Sequence, residues 1–122
     1  MRKIILLMTL LMIPIGVNAK VKAEETLVSM GECKISYYCS CEECSGPYGL
    51  LTATGTHCEE GRTCAVDPYV IAYGTRILVD GHVYVAEDCG SSVKGDAIDI
   101  YVDDHERTER LGVRYRKVWL IK

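Results

Sequence analysis

The chain has 122 residues, with 14 lysines and arginines against 17 aspartates and glutamates, and a formal net charge of −3 at pH 7. This length fits one domain with a modest core. The acidic balance leaves no basic patch to neutralise phosphates, so we expect no nucleic-acid partner.

The N-terminal residues have the pattern of a secretory signal peptide. Arg2 and Lys3 form a short positive region, residues 4–17 are nearly all apolar, and Val17-Asn18-Ala19 matches a small-residue cleavage site. We predict a signal peptide over residues 1–19, whose removal leaves 103 residues with a net charge of −5 and no further contact with the membrane. An uncleaved N-terminal anchor is the alternative, although the apolar run is short for a spanning helix.

Short strands dominate the rest of the chain. Residues 20–32 are polar without a clear period and are predicted to form a linker, so the folded domain is expected over residues 33–122. Lys34–Tyr38 favours a strand, and Val113–Ile121 favours the last one. Between them, Asp80-Gly81 separates two β-prone runs and is a strong signal for a two-residue hairpin.

Residues 97–102 show a clean strand alternation. Ile98, Ile100 and Val102 share one face, so Asp99 and Tyr101 lie on the other. An aspartate inside a short apolar strand is unfavourable for the strand and costly to bury. Asp99 is therefore the acidic residue that local structure explains least.

A short helix is predicted after this strand. Asp103 or Asp104 can cap its N-terminus, Glu106 lies near the capping-box position, and Gly112 follows its end at Leu111. Many short strands with one short helix near the C-terminus indicate a mainly β protein, a small β-barrel.

The seven cysteines allow several kinds of chemistry. An exported chain of this size with many cysteines favours disulfides, and Cys58 and Cys64 are the pair predicted to form one. A second group has the density of a metal site and could form a four-thiolate zinc site: Cys39, Cys41 and Cys44 together with Cys89. Disulfides or free thiols are the alternatives for this group.

Several ordered motifs resemble the 3D domain, a family named for its three aspartates. They span roughly residues 34–122. The motifs are Thr52-Ala53-Thr54-Gly55, Ala65-Val66-Asp67-Pro68, Val70-Ile71-Ala72-Tyr73-Gly74-Thr75, Ala86-Glu87-Asp88-Cys89-Gly90, Lys94-Gly95-Asp96-Ala97-Ile98-Asp99-Ile100-Tyr101 and Val113-Arg114-Tyr115-Arg116-Lys117-Val118. The 3D domain is similar to the catalytic part of MltA-type lytic transglycosylases and to the stationary-phase-survival muralytic domains of Firmicutes, within the RlpA-like superfamily.

The resemblance implies a fold, a substrate and a reaction. The fold is a six-stranded double-psi β-barrel, and the substrate is the glycan strand of peptidoglycan. The reaction is non-hydrolytic cleavage between N-acetylmuramic acid and N-acetylglucosamine, without a cofactor. The predicted signal peptide implies a secreted or cell-wall-associated protein; no oligomeric state is predicted.

The resemblance also assigns roles to residues. Asp99 matches the catalytic acid/base, and Asp88 and Asp67 match two supporting aspartates that raise its pKa as neighbouring negative charges. Asp67 precedes a proline, however, and alone is typical of a turn. Residues proposed to contact substrate have alternatives as a strand end, a solvated lysine or a core tyrosine: Thr54, Gly55, Lys94 and Tyr101.

The sequence is consistent with three functions. The first is an exported peptidoglycan-cleaving enzyme, a lytic transglycosylase, although a hydrolase is not excluded. The second is a glycan-binding or wall-remodelling module without catalysis. The third is a small cysteine-rich metal-binding protein. Fold alone does not separate them, because unrelated activities share folds.

Overall fold

The computed structural model describes residues 24–122. The predicted signal peptide lies outside the described residues. Within them, no helix has the length and apolar character needed to cross a membrane.

Residues 24–122 contain six strands and two short α-helices. In chain order they are β1 (Leu27–Tyr38), α1 (Glu42–Ser45) with a following 3₁₀ turn (Gly46–Tyr48), β2 (Thr63–Ala65), β3 (Arg76–Val79), β4 (His82–Asp88), β5 (Ile98–Tyr101), α2 (His105–Leu111) and β6 (Arg114–Ile121). The strands close into a barrel in the order β1-β5-β2-β4-β3-β6. The β1–β5 and β2–β4 pairs are parallel, and the other four are antiparallel. The predicted six-stranded barrel is confirmed.

The local predictions for the hairpin and the helix hold. Asp80 and Gly81 have φ values of 52° and 74° and join β3 to β4 as a two-residue turn. The Asp104 side chain accepts a hydrogen bond from the Glu106 amide and caps α2, which ends at Leu111 before Gly112. The structure adds α1, which the sequence did not predict.

Strand β1 begins earlier than predicted. The polar segment predicted as a linker over residues 20–32 overlaps the strand from Leu27 onward, which pairs with β6 along most of its length. Its early residues are mostly exposed and include Gly31 at a bulge. No hydrophobic alternation therefore marked this segment as a strand.

Two apolar clusters organise the interior. The larger fills the barrel and includes Ile35, Ile98, Ile100 and Val118. The smaller contains Tyr38, Cys58, Ala65, Val93 and Tyr101. The smaller cluster supports the floor of the cleft described below, because three of its members also line that cleft.

Candidate active site

A cleft of about 900 Å³ contains two of the three predicted aspartates, Asp88 and Asp99. Its floor includes Ala65 and Val93. The exposed tyrosines Tyr48 and Tyr69 also line it. An open cleft with two carboxylates and exposed aromatic rings suits an extended polar ligand.

Strand pairing places the two aspartates in one row across the barrel. Ala65 of β2 pairs with Asp99 of β5 on one side and with Asp88 of β4 on the other. Because neighbouring strands lie about 4.8 Å apart, the two aspartate Cα atoms are separated by about 10 Å. The small side chain of Ala65 leaves the space between the carboxylates open.

A β-bulge selects which acidic residue of β4 joins this row. Cys64 pairs with Ala86, but the register then shifts, so that Ala65 pairs with Asp88 instead of Glu87. Bulges of this kind redirect side chains beside functional sites. Glu87 is buried and bonded elsewhere, accepting from Arg62 Nε and from the Thr63 hydroxyl.

Asp99 is partly buried and has an unusual titration. Its Oδ1 accepts a hydrogen bond of 3.0 Å from Ser36 Oγ, the residue opposite it on β1. Burial raises the pKa of Asp99, the Ser36 hydrogen bond lowers it, and the nearby charge of Asp88 raises it; the net pKa is about 6. Asp99 therefore holds a proton at far higher pH than an ordinary aspartate does.

Asp88 is surrounded by hydrogen-bond donors. Its Oδ1 accepts from the amides of Ala53 at 3.0 Å and Cys89 at 2.9 Å, and its Oδ2 accepts from the Tyr38 hydroxyl at 2.8 Å. Burial and the neighbouring Asp88 raise the pKa of Tyr38, so its hydroxyl stays protonated as a donor. Three donors on two oxygens suit an ionised carboxylate, which only accepts.

Asp67 has a different position from the one expected of a partner to Asp99. Its Oδ1 accepts from the Tyr69 amide and its Oδ2 from the Gly95 amide. These bonds lower the pKa of Asp67, with Gly95 the larger contribution, and Asp67 is absent from the causes that shift the pKa of Asp99. The carboxylate joins two loops whose neighbouring residues, Tyr69 and Lys94, line the cleft.

Replacing Asp67 with asparagine is expected to lower the melting temperature at neutral pH, because one of the two amides loses its acceptor. The folded-state pKa of Asp67 is depressed, so its stabilisation is present above the ordinary pKa of 3.8 and is lost as the pH falls through the folded value. Thermal unfolding of both proteins from pH 7 to acid measures this. Equal melting temperatures at pH 7 would contradict the assignment.

The predicted substrate contacts divide into two groups. Lys94 lines the cleft, the position that a substrate contact would need. Thr54 and Gly55 do not; Thr54 Oγ1 donates to the Glu87 carbonyl, and the preceding Thr52 and Ala53 line the cleft instead. Tyr101 is only 3% exposed and packs edge-on against Tyr38 at 5.6 Å between ring centroids, so it is a core residue.

The cysteine predictions are corrected in two respects. Cys58 and Cys64 are free thiols that belong to different apolar clusters, because Cys64 points from β2 into the barrel while Cys58 packs near Tyr38. Cys89, predicted as the fourth thiolate of the metal group, is exposed and does not join the other three cysteines. The partner of Cys39, Cys41 and Cys44 is His105.

Sequence reasoning missed Ser36, Ala65 and the role of Tyr38 as a donor. Ser36 and Asp99 lie 63 residues apart, and only the parallel pairing of β1 with β5 brings them together. The signal available for Tyr38 was its place at the end of the β-prone run Lys34–Tyr38, where a tyrosine hydroxyl can donate a hydrogen bond.

Solved structures with this barrel include the lytic transglycosylase MltA from Escherichia coli. One MltA structure is 26% identical with a TM-score of 0.52, covering 60% of this chain and 27% of MltA. The lytic transglycosylase LtgG of Burkholderia pseudomallei is 24% identical with a TM-score of 0.51, covering 58% of this chain and 26% of LtgG. The class is thus a mainly β, MltA-like barrel.

Sequence comparison specifies the family within this class. The 3D domain matches residues 62–122, and the chain belongs to the 3D domain family. Two Bacillus subtilis proteins are each 34% identical: YabE, whose name assigns it to cell wall shaping, over 90 residues, and the cell wall-binding protein YocH over 68. The matches cover 70% and 52% of this chain. The chain spans 21% of YabE and 24% of YocH.

Proposed function

We propose that the protein is an exported, cell-wall-associated lytic transglycosylase that cleaves the bond between N-acetylmuramic acid and N-acetylglucosamine. The observation that carries the proposal is the shared cleft of Asp88 and Asp99, in which Asp99 has a pKa raised to about 6. A carboxylic acid that remains protonated near neutrality can donate to a glycosidic oxygen. The names of the relatives and the resemblance to MltA support the same substrate.

The reaction needs one residue that acts first as acid and then as base. Protonated Asp99 donates to the bridging oxygen as the bond from that oxygen to C1 of the muramyl sugar breaks. The C6 hydroxyl of the same sugar then attacks C1 and returns its proton to the Asp99 carboxylate. No water is consumed, and the product carries a 1,6-anhydro ring.

Asp88 has a separate role in this mechanism. Its carboxylate lies across the cleft floor from Asp99, held by three donors, and stays charged while positive charge develops on the sugar ring. A fixed negative charge stabilises such an oxocarbenium-like state. The same charge raises the pKa of Asp99 and thus favours its acid form. Asp67 acts in this scheme as a positioning residue behind the cleft wall.

Mass spectrometry of soluble products from purified peptidoglycan tests the proposal. We expect 1,6-anhydromuramyl products, at a rate that falls as the pH rises through about 6, because only protonated Asp99 can start the reaction. Products with reducing ends would show that water attacks C1, and the protein would then be a hydrolase and not a transglycosylase.

A glycan-binding module is the second candidate, and the similarity to the cell wall-binding protein YocH favours it. In that case the folded protein would sediment with insoluble peptidoglycan and release no product at any pH. Sedimentation run beside the product analysis separates the two functions, because both bind the wall but only one releases soluble fragments.

A further inference from the structure

Three thiols and one imidazole converge beside the cleft, and the donors are not those expected from sequence. Their ligand atoms all lie within 4.8 Å of one another. This group, hereafter the cysteine–histidine cluster, consists of Cys39, Cys41, Cys44 and His105. The three cysteines follow β1 and enter α1, and the histidine is the first residue of α2.

Hydrogen bonding alone does not account for this arrangement. His105 Nδ1 lies 3.6 Å from Cys39 Sγ, 3.4 Å from Cys41 Sγ and 3.5 Å from Cys44 Sγ. A ring nitrogen carries either one hydrogen or one lone pair, so it can satisfy one of these thiols and not three. One cation between the four atoms would satisfy them all.

The distances match those of a tetrahedral zinc site. Zn–S bonds of about 2.3 Å and a Zn–N bond of about 2.0–2.1 Å place each sulfur about 3.6 Å from the nitrogen. The measured separations of 3.4–3.6 Å agree with this value. An iron–sulfur cluster would separate its ligands further, because they bind different iron atoms.

The far side of the histidine supports the same assignment. His105 Nε2 lies 3.4 Å from carboxylate oxygens of both Glu43 and Glu109. A metal-binding histidine usually directs its other nitrogen at a carboxylate, which fixes the ring and strengthens the ligand. Cys39 also receives the Cys41 amide on its sulfur at 3.5 Å, an interaction that suits a thiolate.

We propose that the cysteine–histidine cluster binds one structural zinc ion with three thiolates and the Nδ1 of His105. Four protein ligands close the coordination sphere, as in zinc sites that stabilise folds and do not catalyse. The ion joins the end of β1 to both helices. Cys44 and Ser45 line the cleft and Tyr38 precedes Cys39, so the zinc fixes one cleft wall.

Metal analysis of the protein, purified under reducing conditions without chelator, tests the proposal independently of cleavage. We expect about one zinc per chain, lost in Cys41→Ser and in His105→Asn. His105→Cys is expected to keep the metal, because a fourth thiolate completes the same tetrahedron. The matched controls are Cys89→Ser and His57→Asn, which change exposed residues outside the cluster and should retain full zinc content.

Cobalt substitution of the wild-type protein is a second test, and it does not depend on whether the variants fold. Co²⁺ added to the metal-free wild-type protein should give intense tetrahedral d–d bands and a thiolate charge-transfer band, and zinc should displace it. Metal removal should also lower the melting temperature by several degrees. Wild-type protein without zinc and without these bands would overturn the proposal. Loss of zinc in Cys89→Ser would overturn the assignment of His105, and not Cys89, as the fourth zinc ligand.

Discussion

Replacing Asp99 with asparagine is expected to lower the rate of glycan cleavage by about 10²–10⁴-fold, the usual contribution of a general acid. Asparagine has nearly the same shape and its Oδ1 can still accept from Ser36, so the fold should persist. It has no proton to give to the leaving oxygen. The measurement is the rate of release of anhydromuramyl products below pH 6.

The same variant is expected to be more stable than the wild type at neutral pH. The folded-state pKa of Asp99 is about 6 against an ordinary value of 3.8, so ionisation of Asp99 destabilises the folded protein. This cost develops as the pH rises from 3.8 to about 6 and is fully present above it. Asp99→Asn removes this destabilisation, so the free energy of unfolding should rise by up to about 3 kcal/mol at pH 7 and should not change at acid pH.

Asp96→Asn is the matched control, because Asp96 is an exposed aspartate three residues away in the turn before β5. It should leave both the cleavage rate and the pH dependence of melting near wild-type values. Undiminished cleavage by Asp99→Asn would refute the acid role. A stability gain of Asp99→Asn that persisted unchanged at acid pH would show that the titration of Asp99 is not its cause.

Removing the charge of Asp88 is expected to lower the cleavage rate by about 10²–10³-fold. In Asp88→Asn the amide oxygen can keep both backbone amides, while the Tyr38 hydroxyl can turn toward Cys58 Sγ, 3.8 Å away. The fold should therefore be retained. The pH above which activity falls should also decrease, because the charge of Asp88 no longer raises the pKa of Asp99.

Asp88→Ala separates charge from structure. It leaves three donors without their acceptor, so the free energy of unfolding should fall by about 1–3 kcal/mol. The cleavage activity should be lost as well. Tyr38→Phe removes one donor and keeps the charge, so it should retain most of the activity. If Asp88→Asn cleaved at the wild-type rate while Asp88→Ala did not, Asp88 would be a positioning residue for the Ala53 loop.

The elements that the sequence predicted correctly are those governed by neighbouring residues. The Asp80-Gly81 turn needs positive φ at both positions, which these residues tolerate. Helix α2 is set by the Asp104 cap and by Gly112. The alternation of β5 directed Asp99 away from Ile98 and Ile100, as the burial of those residues confirms.

The functional roles needed more than local pattern. The family resemblance selected Asp67, Asp88 and Asp99, but the structure brings only Asp88 and Asp99 into the cleft. Asp67 instead serves the turn that Asp-Pro indicated by itself. Burial, more than neighbouring carboxylates, raises the pKa of Asp99, and burial depends on what packs over a residue.

The sequence by itself determined the strand-rich composition, the turns, the helix caps and the alternation that isolates Asp99, because each depends on residues a few positions apart. Tertiary structure decided the site. Parallel pairing of β1 with β5 brings Ser36 to Asp99, and a bulge selects Asp88 over Glu87. The docking of α2 supplies His105 to the cysteines in place of Cys89. These contacts join segments up to 66 residues apart, and only the register of the closed barrel determines which side chains meet.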